Sequence, residues 1–331
     1  MDETKSSVMA RRSIMLIIFA VLVAAGFFTS VMMGSVRIPF QEIYDALFGA
    51  GAGTHQQIIW NIRLPRTIVA ALVGINLSLS GAILQAIMKN PLADPHIIGI
   101  SSGAGLTGIM VMLMLPGHEY LVTPAAFVGA MAAAICIYIL AWKNGIRPVR
   151  IILAGVAVSA FLGAGISALM IFYSDKVHGA LMWMVGGLAA RSWPHVDIIY
   201  PYTIIGIVLA FLGAKHLNIL QLGDEIAKGL GLNVEVTRIV MTAIAAMLAA
   251  SAVSVVGLLG FVGLIIPHAT RLLVGSDYRF LLPGSALLGA AVVMLSDTFA
   301  RTAFAPTELP VGILMAVLGA PFFLFLLRRE L

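Results

Sequence analysis

Short polar breaks divide the chain into about ten apolar stretches, most of them near the roughly 20 residues that a helix needs to cross a bilayer. That pattern restricts the fold more than any single motif does. A helix satisfies its backbone N–H and C=O groups within its own segment, which is what a lipid environment demands. The expected spans are Ile14–Gly34, Pro65–Met88, Ile97–Leu115, Leu121–Trp142, Ile151–Tyr173, Val196–His216, Val236–Val256, Phe261–Val274, Phe280–Phe299 and Pro310–Leu327. The eighth is too short to cross alone. Composition agrees, with 60% hydrophobic and 11% charged residues, against about 25% charged in soluble domains. The fold class is therefore all-α: a polytopic membrane protein, read as a single transmembrane domain over residues 1–331.

Charge sets the orientation. With the amino terminus inside, ten spans return the carboxy terminus to the same side. Fourteen of the 20 lysines and arginines then fall inside and six outside, as the positive-inside rule requires. The basic pI of 9.5 is accounted for by topology, and nucleic-acid binding is not indicated. The first apolar run, Ile14 to Phe28, is long for a signal peptide and no small-x-small cleavage site follows it, so it reads as a retained span.

Several chemistries are excluded by what the sequence lacks. Cys136 is the lone cysteine, so neither a disulfide framework nor a cysteine metal site is available. There is no Gly-x-x-x-x-Gly-Lys-Ser/Thr phosphate loop, no His-Glu-x-x-His and no Gly-x-Ser-x-Gly. His268, beside Pro267, reads as a polar residue at a helix end rather than a metal ligand. No enzyme is expected, no metal site, and no cofactor bound by this chain.

Between the sixth and seventh spans lies Leu220-Gln-Leu-Gly-Asp-Glu-Ile-Ala-Lys-Gly-Leu-Gly-Leu232. Leu222, Ile226 and Leu230 recur every four residues and would share one helix face. Asp224, Glu225 and Lys228 fall off that face, and Gly229 and Gly231 permit a turn. Such an element rests on a membrane surface or fits a groove in a partner.

Four other segments stand out. Asn90-Pro-Leu-Ala-Asp-Pro95, followed by His96-Ile-Ile-Gly-Ile-Ser-Ser-Gly-Ala-Gly105, forbids a continuous helix because of its prolines. There Asp94 is placed to cap the next helix, and Gly99 and Gly103 suit close helix contact. Gly257-Leu-Leu-Gly-Phe-Val-Gly-Leu-Ile-Ile-Pro-His-Ala-Thr-Arg271 suits a reentrant or broken helix, a device that marks pathways in transporters and also serves as packing. Arg63, Arg66 and Arg301 gather at the outer face, either as interfacial anchors or as a docking surface for an acidic partner, with Asp297 and Arg301 spaced to pair on one helix. His178–Gly187 is apolar but too short to cross: either an outer half-helix over a cavity mouth or an interfacial helix anchored by Trp183 and Trp193.

Arg63-Leu-Pro-Arg66, Ser80-Gly-Ala-Ile-Leu-Gln85, Asn90-Pro-Leu-Ala-Asp-Pro95, Gly99-Ile-Ser-Ser-Gly-Ala104, Leu222-Gly-Asp-Glu-Ile-Ala227, Gly260-Phe-Val-Gly-Leu-Ile-Ile-Pro-His268, Asp297–Arg301 and Leu309-Pro-Val-Gly312 stand in register along nearly the whole chain. In that order they resemble the FecCD family, the permease subunits of type II ABC importers for ferric siderophores, haem and vitamin B12. The resemblance implies a vitamin B12 permease-like fold in a bacterial or archaeal cytoplasmic membrane, with both termini cytoplasmic. It implies a dimer with a second copy or a homologous permease, and a path on the dimer axis lined by the fifth span, from Arg150 onward, and the tenth. Two ATP-hydrolysing partner subunits, which use ATP and Mg, would dock on the inner side, with Leu222, Gly223, Asp224, Glu225, Ile226, Ala227, Lys228, Leu230 and Gly231 as the coupling element. A periplasmic or lipid-anchored binding protein would dock outside on Arg63, Arg66 and Arg301. One departure is the turn Gly145-Ile-Arg-Pro-Val-Arg150, where vitamin B12 permeases carry small hydroxyl residues, so no gating role passes to Pro148 or Val149. The expected function is import of an iron chelate, a ferric siderophore first and haem next. The rival reading is an ion-driven secondary carrier, which would place ionisable residues inside spans; the carboxylates here sit at span ends and in loops.

Overall fold

The structure, a computed structural model, describes residues 2–34, 38–48, 53–96, 99–143 and 148–330. Its elements are helical: α1 (Asp2–Met32), α2 (Phe40–Phe48), α3 (Thr54–Ile58), α4 (Leu64–Met88), α5 (Ile100–Met114), α6 (Val122–Ala141), α7 (Pro148–Phe172), α8 (Val177–Val185), α9 (Trp193–Gln221), α10 (Asp224–Gly229), α11 (Val234–Val256), α12 (Val262–Val274), α13 (Tyr278–Thr302) and α14 (Val311–Glu330). Among the described residues seven helical stretches are long and apolar enough to cross a membrane, and three shorter apolar helices, Ile100–Met114, Val262–Val274 and Val311–Leu324, occupy the other expected positions. The second span begins earlier than Pro65. A π-helical turn at Ile59–Arg63 joins α3 to α4 without a break, and it falls just before Pro65, which has no N–H to give to the helix ladder. The expected start of the third span at Ile97 lies outside the described residues.

α4 is the axis of the bundle, packed by α9, α11, α12 and α13. Between helices in lipid there is little hydrophobic drive, so association rests on close backbone approach and buried hydrogen bonds. α4 supplies both. A Cβ on Gly74 would sit 2.2 Å from the Gly289 carbonyl oxygen, and one on Gly81 would sit 1.9 Å from that of Gly263. Asn76 Nδ2 donates to Ser251 Oγ at 2.9 Å, and Ser80 Oγ to the Ala245 carbonyl at 2.7 Å. The expected role of Gly103 is met in the same way, its Cβ position lying 2.3 Å from the Gly129 carbonyl oxygen, so α5 and α6 touch backbone to backbone.

The eighth expected span is a half-helix. After α11 ends, residues 257–260 run without helical structure, and α12 starts beside Gly81, part-way along α4. Gly257, at φ +80°, allows the turn, and its Cβ position lies 2.0 Å from the Trp183 carbonyl oxygen. The freed backbone is satisfied by protein, with Gly187 N donating to the Val256 carbonyl at 2.9 Å and Gly312 N to the Gly186 carbonyl at 3.0 Å. α8 is thereby tucked into the bundle, with Ala180 and Trp183 buried. Trp183 therefore faces the protein interior and is not an exposed anchor. Trp193 instead stacks on Trp60 at 6.2 Å.

Candidate functional site

Two opposite faces and one cavity hold the residues singled out by sequence. α10 lies at the end of the bundle where α4 and α9 finish and α11 begins. Its start is fixed by Gly223 at φ +110°. Its end is a closed C-terminal motif: Leu232 N donates to the Ala227 carbonyl and Gly231 N to that of Lys228, both at 2.9 Å, with Gly231 left-handed at φ +82°. Those two bonds satisfy carbonyls that a helix end leaves open. Asn233 Oδ1 then accepts from Val236 N at 3.1 Å and opens α11.

The side chains divide cleanly. Leu222, Ile226 and Leu230 are 54%, 57% and 60% exposed, while Ala227 is fully buried against the bundle. Glu225 and Lys228 are exposed, as expected. Asp224 turns inward: its Oδ1 accepts from Lys89 Nζ at 2.8 Å and from Arg238 Nη2 at 2.9 Å. Burial works to raise the Asp224 carboxyl, but the hydrogen bonds and charges of Lys89 and Arg238 outweigh it and hold the group below its ordinary range. Gln221 Nε2 adds a bond to the Ala86 carbonyl at 3.2 Å. The element is therefore a stiff apolar knob clipped to the ends of α4, α9 and α11. Of the expected contact residues, Ala227 packs inward against the bundle and Asp224, its side chain still 40% exposed, forms this clip. Lys89 and Arg238, which hold Asp224, carried no local signal in the sequence.

At the opposite face the three arginines are brought together but not exposed. Arg63, Arg66 and Arg301 are 3%, 6% and 5% exposed. Arg63 Nη1 donates to the Val31 and Met32 carbonyls at 2.9 and 2.8 Å. Arg66 grips Asp297 with two bonds of 2.9 Å and reaches Glu308 Oε2 at 2.8 Å. Arg301 donates to the Ser30 carbonyl and to Ser30 Oγ. The three arginines, expected to serve in docking, are not a free basic patch in this structure: desolvated guanidinium groups need acceptors, and here they bind the ends of α1, α4 and α13 to one another. The expected Asp297–Arg301 pair is present at 3.9 Å and is secondary to the bidentate Arg66–Asp297 pair.

Between the faces lies a cavity of about 660 Å³. Its wall is apolar, from Val185, Leu258, Phe261, Leu264, Ile313 and Val317, with Asp94 and His96 as the polar groups. Asp94 does not cap α5. Its Oδ1 accepts from His96 N at 2.8 Å, within the turn, and α5 opens instead on Gly99 at φ +73°. Burial pushes the Asp94 carboxyl up, against the opposing effect of His96. His268 is not at a helix end but inside α12, buried and edge-on to Phe322 at 5.9 Å. α14 walls this cavity; α7 packs on α5 and α6 and presents Leu153, Val156, Phe161 and Ile171 outward. Among the described residues no group of His, Cys, Asp and Glu could hold a metal ion.

Comparison with known proteins agrees with this arrangement. The pattern of the FecCD transport family matches residues 21–329. The iron(3+)-hydroxamate import system permease protein FhuG of Bacillus subtilis is 36% identical over 95% of this chain and 97% of its own length. The hemin transport system permease protein HmuU of Yersinia pestis is 38% identical, over 95% and 94% respectively. Among solved structures, an inward-facing metal-chelate type ABC transporter superposes with a TM-score of 0.84 at 29% identity, covering 95% of this chain and 98% of that one. With its half-helices, its apolar knob and this match along almost its entire length, the chain belongs to the FecCD transport family.

Proposed function

We propose that this chain is the membrane-spanning permease of an ATP-driven importer that carries an iron chelate, a ferric siderophore first and haem next, across the cytoplasmic membrane. The observation that carries the reading is α10. Three large exposed apolar side chains, Ile226 on a short helix and Leu222 and Leu230 at its two flanks, held by a buried alanine and a doubly paired aspartate, make an anchor suited to a groove in a partner. That partner is an ATPase subunit on the inner side, where ATP and Mg are used; this chain supplies no chemistry. Two permeases pair, as copies or homologues, with the outward apolar faces of α7 and α14 towards the dimer axis. A ligand or partner shifts such a machine only through differential binding to its states, and ATP binding in the partner provides that difference. Because the Asp224 clip ties α10 to α4 and α11, movement of the ATPases is delivered to the bundle rather than absorbed in a loop.

A substrate-binding protein docks on the opposite face. The part of Arg63, Arg66 and Arg301 there is to fix the helix ends that shape the docking surface. The test is Ile226→Asp in the tagged chain, with recovery of a co-purified ATPase as the readout. A carboxylate placed where an apolar groove should close abolishes recovery, whereas Glu225→Gln, outside the apolar face, leaves it largely intact. Equal recovery with Ile226→Asp would remove α10 as the coupling element.

A further inference from the structure

A second pocket, of about 260 Å³, opens on the arginine face, between the α8–α9 turn and the segment joining α13 to α14. Its charged groups are Arg66, Arg191 and Glu308; Met112, Met182 and Leu188 supply apolar wall. The charges are unevenly matched. Arg66 is neutralised by Asp297, with 1% exposure of that side chain, and also bonds Glu308, whose side chain is 42% exposed. Arg191 meets no carboxylate among the described residues. Its Nη1 lies 3.0 Å from Nε2 of His195, a ring that supplies no negative charge, and its Nε is buried with no acceptor. Burial alone lowers the Arg191 pKa from its ordinary value, with no anion to offset it. Nothing in the coupling or packing roles described above uses this cation. Arg191 is partly exposed at the pocket wall, and a cation drawn part-way out of water without a carboxylate partner is stabilised when an anion arrives.

We propose that Arg191 receives a carboxylate arm of the transported chelate at the arginine face. The inference rests on the importer reading above and narrows its substrate class to chelates that carry a free carboxylate. The pocket is smaller than the roughly 300–1,000 Å³ of typical ligand sites, so it takes an arm while the body of the chelate stays outside. A guanidinium offers a planar fork suited to a carboxylate, and the methionines accommodate an apolar stem. Glu308 borders the same pocket and opposes an incoming anion. The two residues therefore have effects of opposite sign.

The test is calorimetric titration of the purified permease in detergent, with iron-free citrate as the carboxylate probe and a neutral ferric trihydroxamate as the control. Neither titration involves ATPase or binding protein, so failure here is distinct from failure of the importer reading, which is scored by ATP-driven uptake. Citrate binds the parent protein. Arg191→Gln weakens it by about tenfold or more, the scale of one charge-assisted pair, Arg191→Lys weakens it less, and Glu308→Gln strengthens it. The trihydroxamate is indifferent to all three. If Arg191→Gln disturbs folding, the opposite response of Glu308→Gln still decides. Absence of citrate binding to the parent, unchanged binding in Arg191→Gln, or weakening in Glu308→Gln overturns the proposal.

Discussion

Replacing Asp297 with asparagine removes the anion on which the arginine face is built. Asp297 is 1% exposed, takes two hydrogen bonds of 2.9 Å from Arg66 and lies 3.9 Å from Arg301. Glu308, much more exposed, reaches Arg66 through Nη1 alone. Asp297→Asn leaves Arg66 with one neutral acceptor in place of a bidentate carboxylate, and two buried cations with weaker compensation between them. Breaking a buried pair from one side costs about 3–5 kcal/mol, mostly because a charge is stranded. At about 2–4 °C per kcal/mol for a chain of 150–250 residues, and somewhat less for this longer one, the melting midpoint in detergent falls by several degrees. Removing both partners, Arg66→Met with Asp297→Leu, strands neither member of the bidentate pair and recovers part of the loss, as replacements of buried pairs by apolar residues do; the rest remains because Arg301 loses its contact with Asp297. The two single variants and the double therefore form a cycle with strong positive coupling. If Asp297→Asn melts with the parent, or the double variant loses the sum of the singles, the arginines are not structural ties. The stable double variant also isolates docking: loss of binding-protein recruitment there would return a direct contact role to Arg66.

Other expectations concern single positions. Asp277 opens α13, and Arg279 first of all, then Asn218, outweigh burial to lower its carboxyl from 3.8 to about 2. Its stabilisation is thus complete above the ordinary value and lost as pH falls from about 4 towards 2; melting against pH shows that step in the parent and not in Asp277→Asn. Gly81→Ala puts a Cβ 1.9 Å from the Gly263 carbonyl oxygen, so α4 and α12 must part and folded yield collapses, whereas Gly229→Ala, in open space, has no such effect. Ile226→Ala tests the groove quantitatively. An isoleucine 57% exposed offers on the order of 100 Å², worth about 2.5 kcal/mol when covered. Truncation removes more than half of that, and ATPase affinity drops by about tenfold; no change in a binding titration counts against burial of this face.

Local periodicity made much of the molecule legible. The apolar runs located the spans, the four-residue rhythm of Leu222, Ile226 and Leu230 gave the exposed face of α10, and the glycines near 257–263 marked the broken helix. What periodicity does not carry is the partner of a charge. Arg66 and Asp297 are separated by 231 positions, so the sequence offered only the neighbour four residues away, which proved the weaker contact. Asp224 looked like a surface acid because Lys89 and Arg238, its holders, come from two other elements. Asp94 looked like a helix cap because sequence does not say which backbone N–H its carboxylate meets; it is that of His96, within the turn. Arg191 gave no signal at all, since an unmatched cation is recognised only once its surroundings are known.

In the proposed importer, transport is driven by ATP through a partner seated on α10. It is tested most directly by uptake of a labelled ferric siderophore into right-side-out membrane vesicles expressing the permease and its partner subunits, with and without internal ATP and with a proton ionophore. An ATP-driven importer shows uptake that requires ATP, survives the ionophore and is lost in Ile226→Asp. Uptake without ATP that the ionophore abolishes would contradict it and identify an ion-driven carrier.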